Sequence, residues 1–249
     1  MSPLDHLPIP NPDLEHACLA FEALGFTVTP ACVYTSPEEP GAEWRNRSVF
    51  LTEGWLDLQA APGAPAGVGG APASCLFRTD DLEASRIAFS DMRRTEPYSL
   101  VRTWPNAPEL GAEQFALFSI MERISPLVLA VIEHPYPCPD TRAEWFEHRN
   151  TGRKLAGLVF RQAQPGPAAE AAASRLDLSG FRYLAASDFG AAFPAARMAI
   201  RVEVGSIEAT RRMLAAAAVP FSADGHSLYV GAPAPRLRIR VLRSLSVSI

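Results

Sequence analysis

One order of elements, a short strand followed by a capped helix, begins four times in this 249-residue chain, and a repeat of that kind restricts the fold more than any single motif. Residues 4–9 (LDHLPI) read as a strand. Asn11, Pro12 and Asp13 then supply an N-cap, a proline at the first helical position and an acidic first turn. Leu14, Cys18, Phe21 and Leu24 follow at helical spacing, and Gly25 stops the helix. Strand-like runs at 26–30, 47–52 and 55–60 come next, the last two flanking a tight turn at Glu53 and Gly54. The result is one βαβββ unit in residues 1–60.

The Pro/Gly/Ala-rich stretch 61–73 reads as a linker, after which the order restarts. Residues 75–79 (CLFRT) form a strand, and Asp80 with Glu83 makes a capping box. Leu82, Phe89 and Met92 mark a helix face, and strands at 98–103, 114–122 and 127–133 complete the unit over 74–134. A third unit starts at 155–161 with an alanine-rich helix at 167–176, although 177–196 shows no clean strand alternation. The fourth has a strand at 197–204, a helix at 206–217 capped by Ser206, and strands near 219–222, 227–231 and 236–243. The expected architecture is α+β: four βαβββ-type modules paired into two curved-sheet cups. The pairs occupy 1–137 and 155–249, joined by a loop at 138–154.

Composition narrows the function. The net charge of −4 offers no basic field for nucleic acid. The 23 cationic side chains are all Arg except Lys154, a pattern of codon usage in a GC-rich genome. No run reaches the ~18 apolar residues that cross a bilayer, and residues 1–12 lack the charged and apolar regions of a signal peptide. Cys18, Cys32, Cys75 and Cys138 are scattered and form no CxxC pair, as expected of reduced thiols in a cytoplasmic protein. A small-molecule ligand is the expected partner, with neither nucleic acid nor membrane, and a homodimer remains open. There is no GxSxG elbow, and Gly67-x-Gly69-Gly70 lies in the linker, not between strand and helix.

The stretches LDHLPIPNPDLEHACLAFEALGFTVTP, RNRSVFLTEGWLDLQ, LFRTDDLEA and IEHPYPCPDTRAEWFEHRNTGRKLAGLVF resemble the glyoxalase-like domain group of the vicinal oxygen chelate superfamily. The resemblance covers roughly residues 1–160. It implies a cup that holds a metal or ligand, with metal ligands on the first and last strand of each paired module. Carried over position by position, these are His6, Asp57 (where the family often has Glu), Ser74 or Cys75, and Glu133 or His134. A divalent metal (zinc, iron, manganese or nickel) held by imidazole and carboxylate would polarise a carbonyl or stabilise an enolate. Glu133 or His134 would then move a proton. Neither Ser74 nor Cys75 is a usual ligand, so a full four-residue set is missing. The extradiol dioxygenase set is also missing, because LAGLVF and RMAIRVEV contain no histidine and PRLRIRVL no carboxylate.

Period-2 alternation puts Leu4, His6 and Pro8 on one face of the first strand, and Trp55, Asp57 and Gln59 on one face of the fourth. Glu133 and His134 must point to opposite faces, and both assignments stay open. Asn46 and Arg47 are candidates for holding a substrate carboxylate. Trp145 and His148 in the connecting loop are candidates for closing over a ligand, or for plugging the fold. His16 and His226 read as surface residues. Two functions compete: a metal-dependent lyase, isomerase or oxygenase acting on a small oxygenated metabolite, and a metal-free binding protein of the bleomycin-resistance kind with a cup rich in tryptophan (Trp44, Trp55).

Overall fold

The computed structural model describes residues 1–61, 73–124, 127–134, 142–161, 164–187, 198–224, 227–231 and 238–243. Cys138, His226 and nearly all of the predicted linker lie outside them. The first module is β1 (Leu4–Asn11), α1 (Leu14–Ala23), β2 (Cys32–Ser36), β3 (Glu39–Phe50) and β4 (Trp55–Ala60). The second is β5 (Ser74–Thr79), α2 (Leu82–Ala88), β6 (Tyr98–Thr103), β7 (Ala112–Ile124) and β8 (Leu127–Glu133). Their strands close into one barrel in the order β1-β4-β3-β2-β6-β7-β8-β5. Two antiparallel seams join the modules, β1 on β5 and β2 on β6.

The helix starts follow from side-chain caps. Asp13 accepts from the backbone N–H of His16 at 2.9 Å, and Asp81 accepts from that of Ala84 at 2.8 Å. Such a cap is worth about 1 kcal/mol. Both caps fall later than the sequence suggests. Asn11 ends β1 and accepts from the N–H of Asp13, while Asp80 precedes the cap, so the expected Asp80–Glu83 box does not form. The segment 26–30 is not a strand either. Pro30 cannot donate to a ladder, Thr29 is tied to Ser48 by two bonds, and pairing begins only at Cys32.

Closure creates two apolar cores. Outward residues Leu7, Ile9, Leu56, Leu58, Cys75, Phe77, Leu129 and Val131 pack under the helices and against the rest of the chain. Inward residues Tyr34, Phe50, Leu76, Phe115, Leu117 and Ile132 fill the barrel together with Trp104 and Trp145.

The remaining strands form a six-stranded sheet in the order β10-β9-β11-β14-β13-β12. It contains β9 (Gly152–Arg161), β10 (Arg182–Leu184), β11 (Met198–Val204), β12 (Phe221–Asp224), β13 (Ser227–Gly231) and β14 (Arg238–Arg243), with helices α3 (Pro167–Ala172) and α4 (Ile207–Ala216). Ser206 caps α4 as expected. The strand order β11-β14-β13-β12 repeats that of β1-β4-β3-β2. The third unit contributes β9, α3 and β10 among the described residues. Phe160, Phe181 and Phe77 join this sheet to the outer wall of the barrel.

Gly54 makes the hairpin between β3 and β4 possible. Its φ is +78°, and a Cβ there would sit 2.8 Å from the carbonyl oxygen of Asp5. Replacing Gly54 with Ala is expected to lower stability by about 2 kcal/mol, since the left-handed conformation alone costs ~1–2 kcal/mol. Urea unfolding measures the loss.

Candidate functional site

The inward faces of the eight strands enclose a cavity of about 650 Å³. Its two halves differ. The first module presents His6, Tyr34, Ser36, Trp44, Asn46, Trp55, Asp57 and Gln59, whereas much of the second module's wall is apolar: Leu76, Leu100, Phe115, Leu117, Val128, Ala130 and Ile132. The alternation read from the sequence places His6, Trp55, Asp57 and Gln59 here correctly, and Asn46 joins them.

Asp57 is buried and accepts three hydrogen bonds. Tyr34 Oη donates to Oδ2 at 3.2 Å, Asn46 Nδ2 to Oδ2 at 3.1 Å and Ser48 Oγ to Oδ1 at 2.5 Å. The amide orientation of Asn46 follows from chemistry, because the flipped form would set two acceptors against each other. With Nδ2 committed, Asn46 Oδ1 is buried with no partner, and the indole nitrogen of Trp55 is likewise unpaired.

Asp5 holds the two histidines of the site. Its Oδ2 lies 2.7 Å from Nδ1 of His6 and 3.1 Å from Nε2 of His134. The register between β1 and β5 shifts between Leu4 and His6, and a bulge of this kind redirects a side chain. That explains how Asp5, adjacent to His6, shares its surroundings. Burial pushes the Asp5 carboxyl up, but the hydrogen bonds and charge of His134 and His6 outweigh it and hold it at about 2. An ionised carboxylate only accepts, so Nδ1 of His6 and Nε2 of His134 both donate. His6 stacks on Trp55 with centroids 4.3 Å apart, and His134 meets Trp55 and Phe115 edge-on.

Arg102 and Glu113 oppose each other across β6 and β7 as a buried ion pair. The guanidinium lies 5.1–5.9 Å from the ring centroids of Phe115, Trp104, Phe50 and Tyr34, and donates to Tyr34 Oη at 3.3 Å. Rings around a cation stabilise it where water is absent. Although burial opposes its charge, Tyr34, Glu113 and Asp57 around it raise the pKa of Arg102 above its ordinary value.

Other sequence candidates face elsewhere. Glu133 points outward and accepts from the N–H of Leu82 at the start of α2; period-2 alternation leaves His134 as the inward residue of the pair. Arg47 lies on the outer face of β3 and pairs with Glu15, so it holds no ligand in the cavity. Trp145 plugs the barrel interior against Trp104 and Phe50, at 4.9 and 5.9 Å. His148 is a clamp: Nδ1 accepts from the N–H of Thr27, and Nε2 donates to the carbonyl of Phe50 at 2.7 Å. Burial lowers its pKa. Ser74 lines the cavity while Cys75 faces the outer core, where burial pushes its thiol up.

These positions do not fit a divalent metal. No group of three His, Cys, Asp or Glu side chains with metal-binding geometry occurs among the described residues. Asp57 is engaged by three neutral donors, and Asp5 occupies the place between His6 and His134 that an ion would need. Asp5, Tyr34, Ser48, Arg102 and Glu113 were not evident as site residues. The alternation of Asn46 with Ser48, and of Leu100 with Arg102, is the signal that points inward.

A family model described as a glyoxalase-like domain matches residues 4–176. A xylose isomerase-like TIM barrel/4-hydroxyphenylpyruvate dioxygenase fusion protein superposes with TM-score 0.57 at 10% identity, over 100% of this chain and 49% of that one. This chain thus spans about half the fusion protein's length. A hypothetical protein from Staphylococcus aureus gives TM-score 0.46 at 9% identity (98% and 87% covered). A mutant of 4-hydroxymandelate synthase from Streptomyces coelicolor gives 0.42 at 11% (98% and 93%). No curated protein matches the chain.

The folded Asp5 pKa of about 2 lies below its ordinary 3.8, so its contribution is present above pH 4 and is lost as pH falls through 2. That difference amounts to about 2 kcal/mol. In Asp5→Asn this acid-limb loss should be absent, which chemical denaturation at pH 5, 4, 3 and 2 measures.

Proposed function

Because the chain belongs to the glyoxalase-like domain family of the vicinal oxygen chelate superfamily, we propose that it binds a small organic molecule inside the barrel, without a metal ion. The carrying observation is the cavity itself: about 650 Å³, one wall polar and the other largely apolar. Pockets of this size, mostly apolar with a few placed polar groups, suit ligands of drug or metabolite size. The orphaned Asn46 Oδ1 and Trp55 Nε1 on the polar wall support the same reading. A buried polar atom left without a partner costs about 1–3 kcal/mol, and a ligand that pairs with it removes that cost.

The bonding of Asp5 favours a second reading, a metal-free enzyme. Nδ1–H of His6 is held on the carboxylate, so in the neutral cavity-lining imidazole the lone pair is on Nε2. A ligand with an acidic C–H bound against it would pass its proton to Nε2, and Asp5 would stabilise the imidazolium. Exchange of ligand protons in deuterated water, lost in His6→Gln while binding persists, tests this role.

Metal analysis of the purified protein should give far less than one equivalent per chain, and chelator should leave the melting temperature unchanged. The neutral dye Nile red should bind with enhanced fluorescence, and Val128→Trp, which fills the cavity from the second module, should weaken it at least tenfold. A stoichiometric metal lost in His6→Ala would overturn the metal-free proposal. Dye binding indifferent to Val128→Trp would overturn the cavity as its site.

A further inference from the structure

The charges around the cavity are unequal. Three buried carboxylates, Asp5, Asp57 and Glu113, face the barrel interior with one buried guanidinium, Arg102. Asp5 is matched by two imidazoles and Glu113 by Arg102. The direct hydrogen-bond donors to Asp57 are all neutral, and Arg102, which shares its charge with Glu113, acts on Asp57 through space and through Tyr34 rather than by a direct bond. Among the described residues no Lys or Arg lines the cavity, while Glu39 adds a further carboxylate at its wall. A carboxylate taken out of water without a directly bonded cation is costly, so a cation delivered to Asp57 would be held strongly.

Hydrogen-bonding capacity points the same way. A carboxylate has about four acceptor positions, and three on Asp57 are filled. The remaining one is on Oδ1, and Asn46, bonded to the same carboxylate through Nδ2, keeps its own Oδ1 without a partner. Both vacant positions are acceptors, so the group that fills them must be a donor. Trp44, Trp55, Tyr34 and Phe115 supply aromatic walls around the same space, and aromatic faces attract a cation.

We infer that the ligand is an organic amine in its ammonium form, its nitrogen set against Asp57 and Asn46 and its apolar body against the second module. This rests on the cavity reading above and adds the ligand's charge and orientation to it. An anionic metabolite is disfavoured by the same accounting, because it would meet Asp57 and Glu39 with no Lys or Arg among the described lining residues to offset them.

Three probes of matched shape test the inference on the full chain: 2-(1-naphthyl)ethylamine, 2-(1-naphthyl)ethanol and 1-naphthylacetate, each titrated alone and against bound Nile red. The amine should displace the dye at least tenfold more effectively than the alcohol, and the acetate least. Asp57→Asn should reduce amine affinity tenfold or more and change the alcohol less than threefold. Because Asp57 is buried, Trp44→Ala at the half-buried cavity wall gives an independent variant, expected to weaken the amine severalfold more than the alcohol. Thermal melts confirm that each variant folds. If Nile red binds and all three probes displace it equally, or the acetate does so best, the amine inference falls and the cavity reading stands. If neither the dye nor any probe binds, both fall.

Discussion

Closure of eight strands into a ring governs the rest of this structure. Two seams, β1 on β5 and β2 on β6, remove every edge from the first two modules, and a closed sheet has an interior whether or not a ligand fills it. Because side chains alternate along each strand, closure commits half the residues of every strand to that interior. The outer half must then be covered, and α1, α2 and the second sheet cover it with one continuous apolar core. The barrel therefore sets both what is buried outside and what is presented inside.

Inside, burial makes each polar group depend on its neighbours. Glu113, Arg102, Tyr34 and Asp57 form a connected series that ends at Asn46 and Ser48. The other buried acid, Asp5, is satisfied by His6 and His134. A single oxygen bridging two imidazoles is the arrangement a metal ion would otherwise provide from the opposite direction, with both nitrogens as donors of lone pairs rather than of protons. Here the proton-donating form holds, and the same two histidines cannot serve both chemistries with those nitrogens. The two imidazoles are thus held by a hydrogen-bonded carboxylate, at the position where a bulge turns Asp5 toward the site.

Much of the barrel was legible in the sequence because period-2 alternation is a local signal. β6 and β8 match their sequence-derived bounds, and His6, Trp55, Asp57 and Gln59 face inward as the pattern implies. What was illegible depended on long-range geometry. Asp5 is adjacent to His6 in a strand, so alternation sends it outward, and no local cue reveals the register shift that brings it back. Tyr34 was hidden because Phe26 to Pro30 mimics a strand, though the pairing starts after Pro30. His148 and Arg47 carried family resemblance and polar chemistry, yet neither property says which side of a wall a residue is on. Glu133 and His134 could not be separated until the position of Phe115 fixed the inner face of β8.

The two modules that build the barrel repeat one topology but not one chemistry. Equivalent strands carry Asp57 and Gln59 in the first module and Ala130 and Ile132 in the second, Asn46 and Ser48 in the first and Phe115 and Leu117 in the second. Packing alone does not require that asymmetry, since an apolar interior on both sides would avoid every desolvation cost of the polar wall. The polar wall is also the one that retains unpaired atoms, Asn46 Oδ1 and Trp55 Nε1. The ligand proposed above accounts for a wall that costs stability and remains incompletely bonded. Its counterpart, largely apolar, would fix the orientation of that proposed ligand.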